Sequence, residues 1–143
     1  MKDAIECVLR RLLGLPLWGV GRAGSLEWFQ FGPSRTIPTF RGGPKEVGEY
    51  ALHLDCPWRL VGPTGLVVAT DESEPELLAQ VGSPPLVCAA VSGSDDGGAT
   101  LQFLGGWLLV VEPSYPDHLE YWRLFRPGRE EPHVVVGAAG VEE

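Results

Sequence analysis

Apolar residues recur along this chain in two rhythms. From Asp3 to Leu13 they fall at Ile5, Val8, Leu9, Leu12 and Leu13, the spacing of one helical face. That spacing predicts a helix over 3–13, with Asp3 capping its start and Gly14 stopping it. After Gly14 the rhythm shortens. Leu15–Arg22 and Leu26–Phe31 read as two strands joined at Ala23-Gly24-Ser25. In the second, Trp28 and Gln30 alternate with Phe29 and Phe31, so aromatics lie on both faces. Either both faces are covered, or one is an exposed binding patch.

The segment from Glu49 to Leu60 reads as a long strand bent at Pro57, which cannot donate to a ladder. Tyr50, Leu52, Leu54 and Cys56 share one parity and suit a buried face. Ala51, His53 and Asp55 share the other and suit a wetter one. Trp58 reads as a core anchor, with Arg59 beside it. Gly62-Pro63-Thr64-Gly65 turns the chain into a strand over 66–70. A short helix is expected from 74 to about 81, with Ser73 as its cap. Leu86–Val91 is strand-like, and Ser92–Gly98 is a polar hairpin tip. Ala99–Leu104 and Trp107–Glu112 pair through Gly105-Gly106, a favoured two-residue turn. The apolar run at 107–111 predicts a strand buried on both faces. Leu119–Phe125 and His133–Val136 complete the strands, and 137–143 reads as a frayed tail. These elements predict one α+β domain spanning 1–143: helix 3–13, β-rich body 15–136, then the tail. Its core is a mostly antiparallel sheet or sandwich of about seven to nine strands.

Composition supports this reading. The 143 residues include 19 Gly and 13 Pro, which punctuate many short elements. With 44% hydrophobic residues, the chain buries a core without membrane-spanning runs. A formal charge of −8 opposes binding to nucleic acid or anionic membrane. Cys7, Cys56 and Cys88 match no zinc or redox spacing, and reduced thiols fit a cytoplasmic location. The charged N-terminus interrupts any signal-peptide core.

Candidate chemistry gathers in few places. Residues 32–48 form a Gly/Pro-rich stretch with Arg35, Arg41 and Lys45, read as a mobile connection with a task. Arg41-Gly42-Gly43 offers a guanidinium and backbone amides to an anion, but without the strand–loop–helix context of a phosphate loop. Trp58-Arg59 and Trp122-Arg123 repeat a pattern in which a guanidinium stacks on aromatics and grips a carboxylate. The two pairs either line one surface for an acidic ligand or satisfy Glu49, Asp55 or Glu120 within the fold, and the internal role is favoured. Candidate binding residues are therefore His53, Asp55, Trp58, Arg59, Trp122, Arg123 and Arg41. No nucleophile elbow, dyad or metal spacing is present, so no catalytic residue, metal ligand or cofactor is expected.

Gly-Leu-Pro-Leu-Trp-Gly (14–19), Trp-Phe-Gln-Phe-Gly (28–32), the segment 50–60 with its Leu-His-x-x-Cys-Pro-Trp-Arg core, Tyr-Trp-Arg-Leu-Phe-Arg-Pro (121–127) and His133–Val136 carry a resemblance. Together they resemble a small bacterial protein family, commonest in high-GC bacteria such as actinobacteria, with no established activity to transfer. In size, charge and β-rich build the chain is also similar to small acidic immunity-type proteins that neutralise toxins. The leading expectation is a non-enzymatic binding protein with a protein partner. The alternative is a small-molecule or metal-dependent enzyme using His53, Cys56 and Arg59. A third is a self-associating structural protein, such as a homodimer, with the 15–31 hairpin as interface.

Overall fold

The computed structural model describes residues 1–65, 67–69, 85–114 and 120–143. The helix expected at 74–81 lies outside them. The chain opens with α1 (Lys2–Leu9), whose last turn tightens into a 3-10 turn at Arg10–Leu12. Ile5, Val8, Leu9 and Leu12 are buried, as their spacing requires. Asp3 sits in the first turn and the cap position is Met1, which offers no capping side chain.

Strands follow in quick succession: β1 (Pro16–Ala23), β2 (Leu26–Phe31), β3 (Arg35–Ile37), β4 (Lys45–Val47), β5 (Tyr50–Leu54), β6 (Trp58–Val61) and β7 (Val67–Ala69). The second half adds β8 (Leu86–Gly93), β9 (Ala99–Phe103), β10 (Trp107–Val111), β11 (Trp122–Phe125), β12 (Val134–Gly137) and β13 (Gly140–Glu142). Among the described residues, all pairings are antiparallel, eleven strands form one sheet in the order β13-β12-β11-β5-β2-β1-β8-β9-β10-β6-β7, and β3-β4 form a separate ribbon. The sheet is thus larger than the seven to nine strands expected. One reason is that the frayed tail expected after 136 is instead a hairpin, with Val135 opposite Glu142 and Val136 opposite Val141.

The sheet bends at the β1–β8 seam, where only Pro16–Val87 and Leu17–Leu86 pair. A register shift flanks the seam on each strand, between Leu17 and Gly19 and between Cys88 and Ala90. Such bulges bend a strand and raise its twist. The two halves therefore face each other. Phe29 of β2 meets Trp58 of β6 edge-on at 5.4 Å, and Phe31 stacks over Phe103 of β9 at 6.4 Å. The expected long strand at 49–60 is two strands in opposite halves. Residues 55–57 carry the chain across, because Pro57 cannot extend a ladder.

Parity sets what faces inward. Leu52, Leu54, Cys56 and Trp58 are buried, while His53 and Asp55 are half-buried. Trp122 and Leu124 fill the core between the exposed-side residues Arg123 and Phe125. In β10 only Leu109 and Val111 are buried, with Leu108 and Val110 half-exposed. The expectation of burial on both faces fails there, because the outer face of that half meets water. The Gly105-Gly106 turn forms as expected, with φ of 91° and 86°.

Candidate functional site

The outer face of β2, β5 and β11, with its edge, carries three of the seven candidate binding residues: His53, Asp55 and Arg123. Register places Trp28 beside His53 and His53 beside Arg123, a cross-strand row over three strands. Phe125, one pleat along from Arg123, meets His53 edge-on at 4.6 Å and stacks on His133 at 4.1 Å. Trp28 lies 6.1 Å from His53. A ladder of rings thus runs from Trp28 to His133.

A hollow of about 490 Å³ opens on this face, lined by Ser25, Leu26, His53, Asp55, Glu120, Arg123, Phe125 and His133. Arg123 spans its floor. Its Nε and Nη2 donate to the two Glu120 carboxylate oxygens at 2.8 and 2.5 Å, and Nη1 lies 3.0 Å from His133 Nδ1. A guanidinium only donates, so His133 Nδ1 accepts and its proton resides on Nε2. The Arg123 bonds hold Glu120 below the usual carboxylate range, and Glu120 in turn stabilises the Arg123 charge. Ser25 donates to Asp55 at 3.3 Å.

His53 is held neutral at ordinary pH. Burial first, then the positive charges of Arg123 and Lys45, lower its pKa from 6.5 to about 4. His133 is lowered as well, by burial and by Arg123. The hollow therefore presents two neutral imidazoles, a locked ion pair, a carboxylate at Asp55 and an aromatic wall.

The β3–β4 ribbon lies alongside. Arg35 donates to the Pro127 carbonyl, and the Gly48 amide donates to Gln30 Oε1 at 2.9 Å in a buried bond. The Lys45 ammonium sits 5.6 Å from the Trp28 ring centre. The ribbon buries Gln30 and leaves Trp28 and His53 half-exposed. The stretch read as a loop is thus a docked hairpin, and the outer aromatic face is covered at one end and open at the other.

The remaining candidates go elsewhere. Trp58 and Trp122 are core residues, 3% and 1% exposed, and Trp122 Nε1 donates to the Gly97 carbonyl at 2.8 Å. Arg59 leaves the outer face of the opposite half and pairs with Glu112 at 2.5 Å. The two Trp-Arg pairs therefore line no common surface, because inward tryptophans and outward arginines sit on halves that face each other. Arg123 takes Glu120, one of the partners expected within the fold, whereas Arg59 takes Glu112 in an exposed ion pair that the expectation did not include. His53, Cys56 and Arg59 are likewise dispersed. Cys56 lies in the core, where burial and Asp55 push its thiol up to about 12. Arg41 is exposed at the ribbon tip, away from the hollow's lining. Among the described residues, no group of three or more His, Cys, Asp or Glu is placed to hold a metal ion. His118, the third histidine of the sequence, lies outside the described residues.

Sequence reasoning missed Phe125 and Lys45 as members of this face. Phe125 shares the parity of Arg123, but only the β5–β11 register brings it to His53. Compared with known proteins, the chain matches no family model, no curated protein and no solved structure.

Proposed function

We propose that this chain is a non-enzymatic binding protein that engages another protein through the outer face of β2, β5 and β11. The supporting observation is the hollow, which gathers His53, Asp55 and Arg123 with Glu120, Phe125 and His133 in one open concavity. Preorganised donors, acceptors and an aromatic wall are what a partner's anchoring side chain needs. The Nε2–H of His133 and the Asp55 carboxylate supply directional bonds, while the Glu120–Arg123 pair fixes the floor. A cytoplasmic location belongs to the same reading, supported by three free cysteines. So does kinship with the bacterial family, whose support is the Leu-His-x-x-Cys-Pro-Trp-Arg core at 52–59.

The test is affinity capture from native lysate with the wild-type chain and a His53→Ala/Arg123→Glu variant verified as folded. The captured partner is then purified and titrated against both. The variant is expected to lose at least about tenfold in affinity, or 1.4 kcal/mol. Equal affinity would move the interface off this face.

A further inference from the structure

The β3–β4 ribbon carries a feature that its docking does not use. Phe40, at its tip, is 97% exposed, against 63% for Leu104, the next most exposed large apolar residue among those described. Isolated exposed apolar residues are ordinary. Phe40 differs because its loop is built to hold it there. The Gly42 amide donates to Thr39 Oγ1 at 3.1 Å, and Thr39 Oγ1 donates to the Gly43 carbonyl at 2.5 Å. Pro38 and Pro44 restrict the chain on either side, and Gly43 takes the positive φ of 73° that the turn requires. The Arg41 guanidinium lies 6.0 Å from the Phe40 ring centre.

Charge also sets this loop apart. Residues 32–45 contain Arg35, Arg41 and Lys45 and no carboxylate, in a chain of formal charge −8. Arg35 is tied to Pro127 at the ribbon's base, and Lys45, opposite Ile37 at the loop end of the ladder, sits over Trp28. Arg41 remains at the tip beside the ring. An aromatic ring with a guanidinium, on a loop ordered before binding, is the composition of an interface anchor.

We infer that Phe40 and Arg41 form an anchor that inserts into an apolar, acid-rimmed cleft on a partner protein. This goes beyond the binding reading, on which it rests, because it uses a surface separate from the hollow. The full chain is prepared with the photo-crosslinker p-benzoylphenylalanine in place of Phe40, and separately in place of Leu104 as control. Each is irradiated in native lysate and the crosslinked peptides are sequenced. The expected product at position 40 is one foreign segment combining large apolar residues with Asp or Glu. Adding Arg41→Glu should cut its yield at least about tenfold, as loss of a hot-spot contact does. Three results overturn the inference: a yield at 40 no higher than at 104, a basic target segment, or a crosslink to a second copy of this chain. Titration of the purified partner against Phe40→Ser separates the two readings. Full affinity there, with loss in the His53→Ala/Arg123→Glu variant, removes the anchor and leaves the hollow standing. Loss in neither variant removes both.

Discussion

His53 shows how one residue ties the outer face to stability. In the folded chain its pKa is lowered to about 4, against 6.5 for an open imidazole. Between those values the unfolded chain takes a proton that the folded chain refuses, so stability rises with pH across this window. The stabilisation is complete above about pH 6.5 and is lost as pH falls toward 4. Lys45 and Arg123 face the ring with positive charge, Glu120 opposes them, and His133 adds a smaller effect of the same sign as the cations. Glu120, Asp96 and Glu131 have lowered values too, so their contributions vanish only at greater acidity. Urea midpoints at pH 7.5 and 5.0 should therefore separate clearly in the wild type and less in His53→Gln. The ring's NMR titration should have its midpoint near 4, and a midpoint near 6.5 would mean that the ring is open to water.

Among the elements, the β3–β4 ribbon was the least legible in the sequence. Its three-residue strands are too short to show alternation, and their Gly and Pro neighbours read as loop. The β1–β2 and β9–β10 hairpins were legible because turn glycines and alternating apolar residues agree there. The site itself was half legible. Parity put His53 and Asp55 on a wetter face, but parity carries no information about which strand lies alongside. That is why Arg123 was paired in sequence reasoning with Arg59 rather than with His53. Gly48 tests how the ribbon is seated. A Cβ there would lie 2.5 Å from the Phe31 carbonyl oxygen and 2.9 Å from its amide nitrogen, both backbone atoms. Gly48→Ala must displace the backbone and with it the buried Gly48–Gln30 bond. The expected cost is about 1–3 kcal/mol, by the measure of overpacked sites. Hydrogen exchange should speed up for the amides of 45–48, while those of β9 and β10 remain protected.

The whole molecule depends on a thin seam. Two residue pairs join the halves along the sheet, and the Gly14 amide to Cys88 carbonyl bond at 2.8 Å and the Cys88 amide to Leu15 carbonyl bond at 3.1 Å extend that join. Most of the cohesion comes instead from side chains packed across the gap. Phe29 meets Trp58, Phe31 meets Phe103, and the Trp122 indole reaches the hairpin tip at Gly97. Helix α1 adds Ile5, Val8 and Leu9 to the same core and receives the Gly93 amide on Glu6 at 3.1 Å. Neither half can bury its apolar face alone, so the two should unfold together. Leu17, fully buried at the seam, is the position that tests this. Leu17→Ala removes core volume where the backbone is already committed by a bulge, and the loss expected for such a truncation is about 2–5 kcal/mol. Far-UV circular dichroism and tryptophan fluorescence should report one shared midpoint, lowered in the variant. Five tryptophans distributed over both halves make fluorescence sensitive to either one. Two separated midpoints in Leu17→Ala would show that the seam, and not the packing across the gap, couples the halves.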